Sequence, residues 1–121
     1  MADFNETQIQ AVWDKGKIVE NFNSKKYRKD MAGAWMVRDQ YGKKGDFGWS
    51  IDHVYPEALG GDETQINLRP MQWQNNQSKS YNYPEYETEI TSKGKENVEK
   101  EQTFTVNKNL QKSLKKLYNL K

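Results

Sequence analysis

The chain contains no cysteine. Neither a disulfide nor a thiolate-held zinc can staple it, so buried side chains alone must hold the fold. Apolar residues make up only 34% of the 121 positions, against a usual share of roughly 45–50%. Aromatics are 12%, with four Trp and seven Tyr spread along the sequence, and each such ring buries a large area. The length suits one core. A single domain over residues 1–121 with a thin, aromatic-rich interior is therefore expected.

Lys and Arg number 19 and Asp and Glu 17, so the formal charge is 19 − 17 = +2. The distribution says more than the sum. Lys108, Lys112, Lys115, Lys116 and Lys121 close the chain without an acid, whereas Glu85, Glu87, Glu89, Glu96, Glu99 and Glu101 cluster upstream. Such segregation can offer a basic face to nucleic acid; a plain solvated surface explains the same pattern. No stretch is apolar enough to span a membrane, and Met1-Ala2-Asp3-Phe4 lacks the basic-then-apolar order of a secretory signal. The expected location is cytoplasmic, with no membrane partner.

Asn5 followed by Gln8 forms a capping box, and Ile9, Val12 and Trp13 fall on one face of a helix behind it. Residues 21–30 read as a polar connection. Gly33–Val37 and Trp49–Tyr55 have strand composition, and the turn chemistry of Tyr41–Gly48 between them predicts a hairpin. On the second strand, alternation places Trp49, Ile51 and His53 on one side and Asp52 on the other. Pro56 should end it, and Pro70 should confine Asn67–Trp73 to an edge or bulge. Propensity makes residues 74–80 a loop. Residues 81–101 are polar and give no clear element, and Thr103–Val106 has the composition of a short strand. A basic helix is expected over 107–121, with Leu110, Leu114, Leu117 and Tyr118 as its apolar stripe.

Residues 49–84 carry the chemistry. His53 is the only histidine, and it follows Asp52 at a strand end, before Pro56 and the Gly60-Gly61 loop. A carboxylate is a hard ligand suited to Mg²⁺, and a neutral imidazole is a suitable base near pH 7. A base plus one divalent cation is what phosphodiester hydrolysis needs. By itself, however, a His beside an Asp is more often a structural pair.

The ordered set Asp52-His53, Pro56, Gly60-Gly61, Asn67-Leu68, Asn76 and Lys79 resembles the HNH nuclease motif. The His53–Asn67 and Asn67–Asn76 separations of 14 and 9 residues are similar to those in the HNH domain of RNA-guided CRISPR nucleases, as are Lys79-Ser80, Asn82 and Pro84. Upstream, Arg28-Lys29-Asp30, Gly33-Ala34, Tyr41-Gly42 and Gly48-Trp49 look like a subgroup of small phage and bacterial HNH proteins, with Ala32 where those often have Cys.

The resemblance implies an α+β fold with a ββα-metal (His-Me finger) core and flanking N- and C-terminal helices. It also implies a helix at 74–80, against the propensity reading. Asp52 and Asn76 would hold one divalent metal, His53 would be the general base, and Asn67 would tie the strands together and fix the His53 ring. Lys79 would hold a phosphate or form a salt bridge. Two oxygen ligands favour Mg²⁺ or Mn²⁺ over Zn²⁺. The expected activity is an endonuclease hydrolysing DNA phosphodiesters, with DNA ahead of RNA as partner. Arg38 and Arg69 are further nucleic-acid candidates, and Lys43-Lys44, Trp73 and Trp35 compete for such roles. Two alternatives stand beside it: a non-catalytic nucleic-acid-binding module of the same fold, and a toxin-type nuclease controlled by a protein partner. Strandedness, sequence specificity and oligomeric state stay open.

Overall fold

The computed structural model describes residues 3–121, and they form a mixed α+β fold. The order is α1 (Glu6–Trp13), β1 (Tyr27–Lys29), β2 (Trp35–Val37), β3 (Trp49–His53), β4 (Leu68–Gln72), α2 (Trp73–Lys79), β5 (Glu85–Lys93), β6 (Glu96–Thr105) and α3 (Lys108–Leu117). The strands form three separate antiparallel pairs, β1–β2, β3–β4 and β5–β6. Among the described residues no helix is long and apolar enough to cross a membrane.

The helix α1 starts as its sequence dictates. The Asn5 side chain accepts from the Gln8 N–H, and the Gln8 side chain accepts from the Asn5 N–H. Its buried face, Ile9, Val12 and Trp13, packs on Met36, Trp49, Ile51 and Leu68. Trp13 and Trp49 meet at 5.2 Å between ring centroids, and Tyr41 adds an edge contact to Trp49. A second cluster, Val54, Met71, Tyr86, Val106 and Leu114, joins the β3–β4 unit to the β5–β6 hairpin and α3.

The expected hairpin between Gly33–Val37 and Trp49–Tyr55 is not formed. β2 pairs instead with β1, from the segment read as a connection, in the register Arg28↔Met36; β3 pairs with β4, in the register Asp52↔Arg69. Trp49, its side chain fully buried, lies against α1, and the mostly exposed 41–48 loop touches β2 at its end, where the Val37 N–H donates to the Phe47 carbonyl at 3.1 Å. Residues 81–101, read without an element, supply all of β5 and six of the ten residues of β6. Glu85, Glu87 and Glu89 are exposed while Tyr86, Thr88 and Ile90 are buried, a period of two whose inward side is partly polar. The last helix is shorter than 107–121: it runs from the Asn107 cap to Leu117 and ends before Asn119, whose φ is +54°. Leu117 falls outside the expected stripe, 42% exposed.

Residues 73–79 are helical, against their propensity. The Gln72 side chain caps the Gln74 and Asn75 N–H groups. Asn75, fully buried, fills all of its capacity: Nδ2 donates to Asp30 Oδ2 and the Ile90 carbonyl, and Oδ1 accepts from the Glu89 and Ile90 N–H groups. The face that α2 buries is thus polar. Asn75→Leu strands these buried partners and should lower stability by about 3 kcal/mol; urea unfolding checks this, and an unchanged midpoint would contradict it.

Asp30 is the other member of this brace. Its carboxylate accepts from the Ala32, Ala34 and Gln72 N–H groups and from Asn75. Burial nevertheless pushes it above its ordinary value of 3.8, outweighing those bonds. The fold thus favours the protonated acid, and the stability this confers is full below 3.8 and lost as pH rises through the raised value. A carboxyl-carbon NMR titration of Asp30 should have its midpoint above 3.8; a midpoint below would mean that the hydrogen bonds win.

Candidate functional site

The unit that positions the candidate residues is β3, β4 and the helix α2 directly after them. Strand alternation separates Asp52 from His53. Ser50 and Asp52 face α2, whereas Trp49 and Ile51 face α1, and His53 lies 6.0 Å from Phe4, which packs on the α1 cluster.

On the α2 face, Asp52 is buried between two cations. Arg69 Nε donates to Oδ2 at 2.9 Å, and Lys79 Nζ lies 3.2 Å from Oδ1. Lys79 also donates to the His53 and Val54 carbonyls at 3.2 and 3.1 Å. Tyr86 closes the group, its ring centroid 4.9 Å from the Arg69 guanidinium carbon. Burial pulls the Lys79 ammonium below its ordinary range despite Asp52. For Arg69 burial acts the same way, but Asp52 and Tyr86 outweigh it and the guanidinium ends above its ordinary value.

Asn76 is on the same side. Its Nδ2 donates to Ser50 Oγ at 2.7 Å and to the Ile51 carbonyl at 3.4 Å, while its Oδ1 has no hydrogen-bond partner among the described residues. No hydrogen bond joins Asn76 to Asp52. The helix therefore brings Asn76 to the residues just before Asp52 and Lys79 to Asp52 itself.

On the other face, the His53 ring meets two carboxylates. Nε2 lies 2.8 Å from Glu63 Oε2, and Nδ1 lies 3.7 Å from Glu57 Oε1. Among the described residues this is the one group of three potential metal ligands, with atoms within 4.8 Å of one another. Sequence reasoning missed both glutamates. They stand 4 and 10 residues past His53, a spacing with no periodic signal, and only the loop's fold returns Glu63 to the ring.

Asn67 shapes that loop. It is fully buried; its Oδ1 accepts from the Tyr55 N–H and its Nδ2 donates to the Tyr55 and Asp62 carbonyls. The expectation that Asn67 fixes the His53 ring is corrected here: it clasps the loop that carries Glu57 and Glu63, and those carboxylates touch the ring. The Gly-Gly pair has its reason in the same clasp. Gly60 has φ +114°, and a Cβ on Gly61 would sit 1.8 Å from the Tyr55 carbonyl oxygen.

The three cations expected to meet nucleic acid are all engaged by other residues of the protein. Lys79 is fully buried, so of its two expected roles the salt bridge is the one formed. Arg69 is held by Asp52 and Tyr86. Arg38 bonds Glu6 and Gln10 and lies over Trp49. Lys43 and Lys44, in contrast, are exposed beside Trp73 and Asn76.

Asp52 and Asn76 supply oxygen donors of the kind a hard divalent cation takes, but Asp52 is only 3% exposed and its two oxygens already face Arg69 and Lys79. Two neighbouring cations compete for the same carboxylate, so such a cation would be held weakly.

No family model, curated protein or solved structure matches the chain.

Proposed function

We propose that this chain is a metal-dependent nuclease of the HNH type, built on a ββα-metal core. The observation that carries the reading is the β3–β4–α2 unit. Its first strand ends in Asp52-His53, its loop is clasped by Asn67, and its helix lays Asn76 on the Asp52 side of that strand. That order of parts matches the order of the sequence motif.

In this reading Asp52 and Asn76 would hold one Mg²⁺ or Mn²⁺, which would supply neutralisation of charge on the phosphate and the leaving oxygen. His53, at the end of β3 on its other face, would take the proton from the attacking water. With Nε2–H donated to Glu63, the ring presents Nδ1 as the basic nitrogen, so Glu63 is a positioning residue. DNA is the proposed substrate, ahead of RNA.

One observation favours a second reading, a polynucleotide-binding module without catalysis: the Asp52 carboxylate is already balanced by Arg69 and Lys79. Plasmid cleavage by the purified protein in EDTA, Mg²⁺, Mn²⁺ and Zn²⁺ separates the two. The nuclease reading expects cutting in Mg²⁺ or Mn²⁺ that does not saturate at low metal, is absent in EDTA, and falls as NaCl rises because phosphate contacts dominate binding. No cutting of DNA or RNA by folded protein with any metal would remove that reading in favour of the module.

A further inference from the structure

The nuclease reading needs a surface that holds the substrate, and the cations nearest the motif are buried. A groove of about 350 Å³ opens instead along the outer side of β3 and α2. Lys43, Lys44, Ser50, Trp73, Asn76 and Gln77 line it, together with Gly42 and Trp49, and no acid does. The two lysines are exposed and take part in no salt bridge among the described residues.

Trp73 is the floor of this groove. Trp13, Trp35 and Trp49 are buried; Trp73 alone of the four is partly exposed. Its indole N–H donates to the Gly45 carbonyl at 2.7 Å, which fixes the ring beside the lysine loop. The Lys44 ammonium lies 5.9 Å from the ring centroid. A fixed, partly exposed indole next to two free ammonium groups is the combination that single-stranded nucleic acid uses: bases stack on the ring while phosphates meet the cations. A duplex keeps its base faces covered and gains nothing from Trp73.

We infer that this groove binds one polynucleotide strand, with a base on Trp73 and its flanking phosphates on Lys43 and Lys44. The inference deepens the nuclease reading, because Asn76 and Ser50 join the groove to the Asp52 side of β3. A strand seated there arrives at the candidate site as single-stranded substrate.

The test uses wild-type protein in EDTA, so that binding is read without cleavage. Fluorescence anisotropy compares a labelled oligothymidylate with a labelled duplex. The single strand should bind more tightly and quench tryptophan emission, and Trp73→Phe should remove most of the quench. Lys43→Glu with Lys44→Glu should weaken binding by roughly tenfold or more at moderate salt. Losing two single-strand phosphate contacts should also shrink the log–log salt slope by about 1.4. Lys112→Glu with Lys115→Glu, on the basic face of α3, should leave affinity within about twofold.

Several results would overturn the inference. They are no binding of single strands, unchanged affinity in the Lys43/Lys44 variant, tighter binding of duplex without a change in emission, or loss of binding through the α3 pair. Its failure is distinct from that of the nuclease reading. A protein that cuts with Mg²⁺ while its Lys43/Lys44 variant binds normally keeps the first and loses the second. A protein that binds through the groove and never cuts does the reverse.

Discussion

Replacing His53 by Ala should cut the rate of phosphodiester cleavage by about 10²–10⁴-fold, the usual share of a positioned general base. The fold should survive. The ring lies beside Phe4 and the two loop carboxylates, Glu57 and Glu63, and the loop itself is held by the Asn67 clasp, which does not include the imidazole. The comparison should be made under single-turnover conditions in Mg²⁺, with thermal unfolding run alongside. A large loss of rate with an unchanged melting temperature assigns the base. A variant that cuts as fast as the wild type would remove His53 from the mechanism.

The largest loss of stability is expected at Lys79. Lys79→Met fits the hydrocarbon but strips Asp52 of one of its two cations and leaves the His53 and Val54 carbonyls without their donor. Removing one partner of a buried charge group typically costs about 3–5 kcal/mol. Urea unfolding should show it as a fall in midpoint at constant slope. The double variant Asp52→Asn, Lys79→Met should recover part of the loss, since the stranded carboxylate is then gone. If Lys79→Met alone is as stable as wild type, the ion group is not what holds α2 against β3.

Much of this arrangement was legible in the sequence. The capping box at Asn5 and Gln8 was read correctly, because it depends only on neighbours in the chain. The separation of Asp52 from Trp49, Ile51 and His53 followed from the pleat of one strand. What escaped depended on partners far along the chain. The short polar β1 gains its place by pairing with β2, and nothing in Tyr27–Lys29 announces it. β5 did carry a signal, in the alternation of Glu85, Glu87 and Glu89 with Tyr86, Thr88 and Ile90. It was obscured because a buried Thr looks like a surface residue.

The helix α2 is the sharpest case. Its buried positions, Asn75 and Lys79, lie four apart as a helix requires, but both are polar, so a hydrophobic period could not find them. The candidate site shows the same limit. Residue order put forward Asp52, His53, Asn67 and Asn76 as candidates, but it did not foresee that Asp52 would be enclosed by Arg69 and Lys79. Nor did it point to the glutamates that reach the imidazole, since loop closure alone puts Glu63 there.

The way α2 lies along β5 has one more consequence. Asn75 bonds the backbone of Glu89 and Ile90, and Ser78 donates to the Glu87 carbonyl. The Asn75 amide and the Ser78 hydroxyl thus occupy ladder positions that another strand would use. The long hairpin is closed to strand addition on that flank. On its opposite flank, β6 presents exposed Glu96, Glu99, Lys100 and Glu101, charges of the kind that deter edge-to-edge association. A chain with a thin interior and a hairpin whose strands run nine and ten residues is thereby protected from templating its own aggregation.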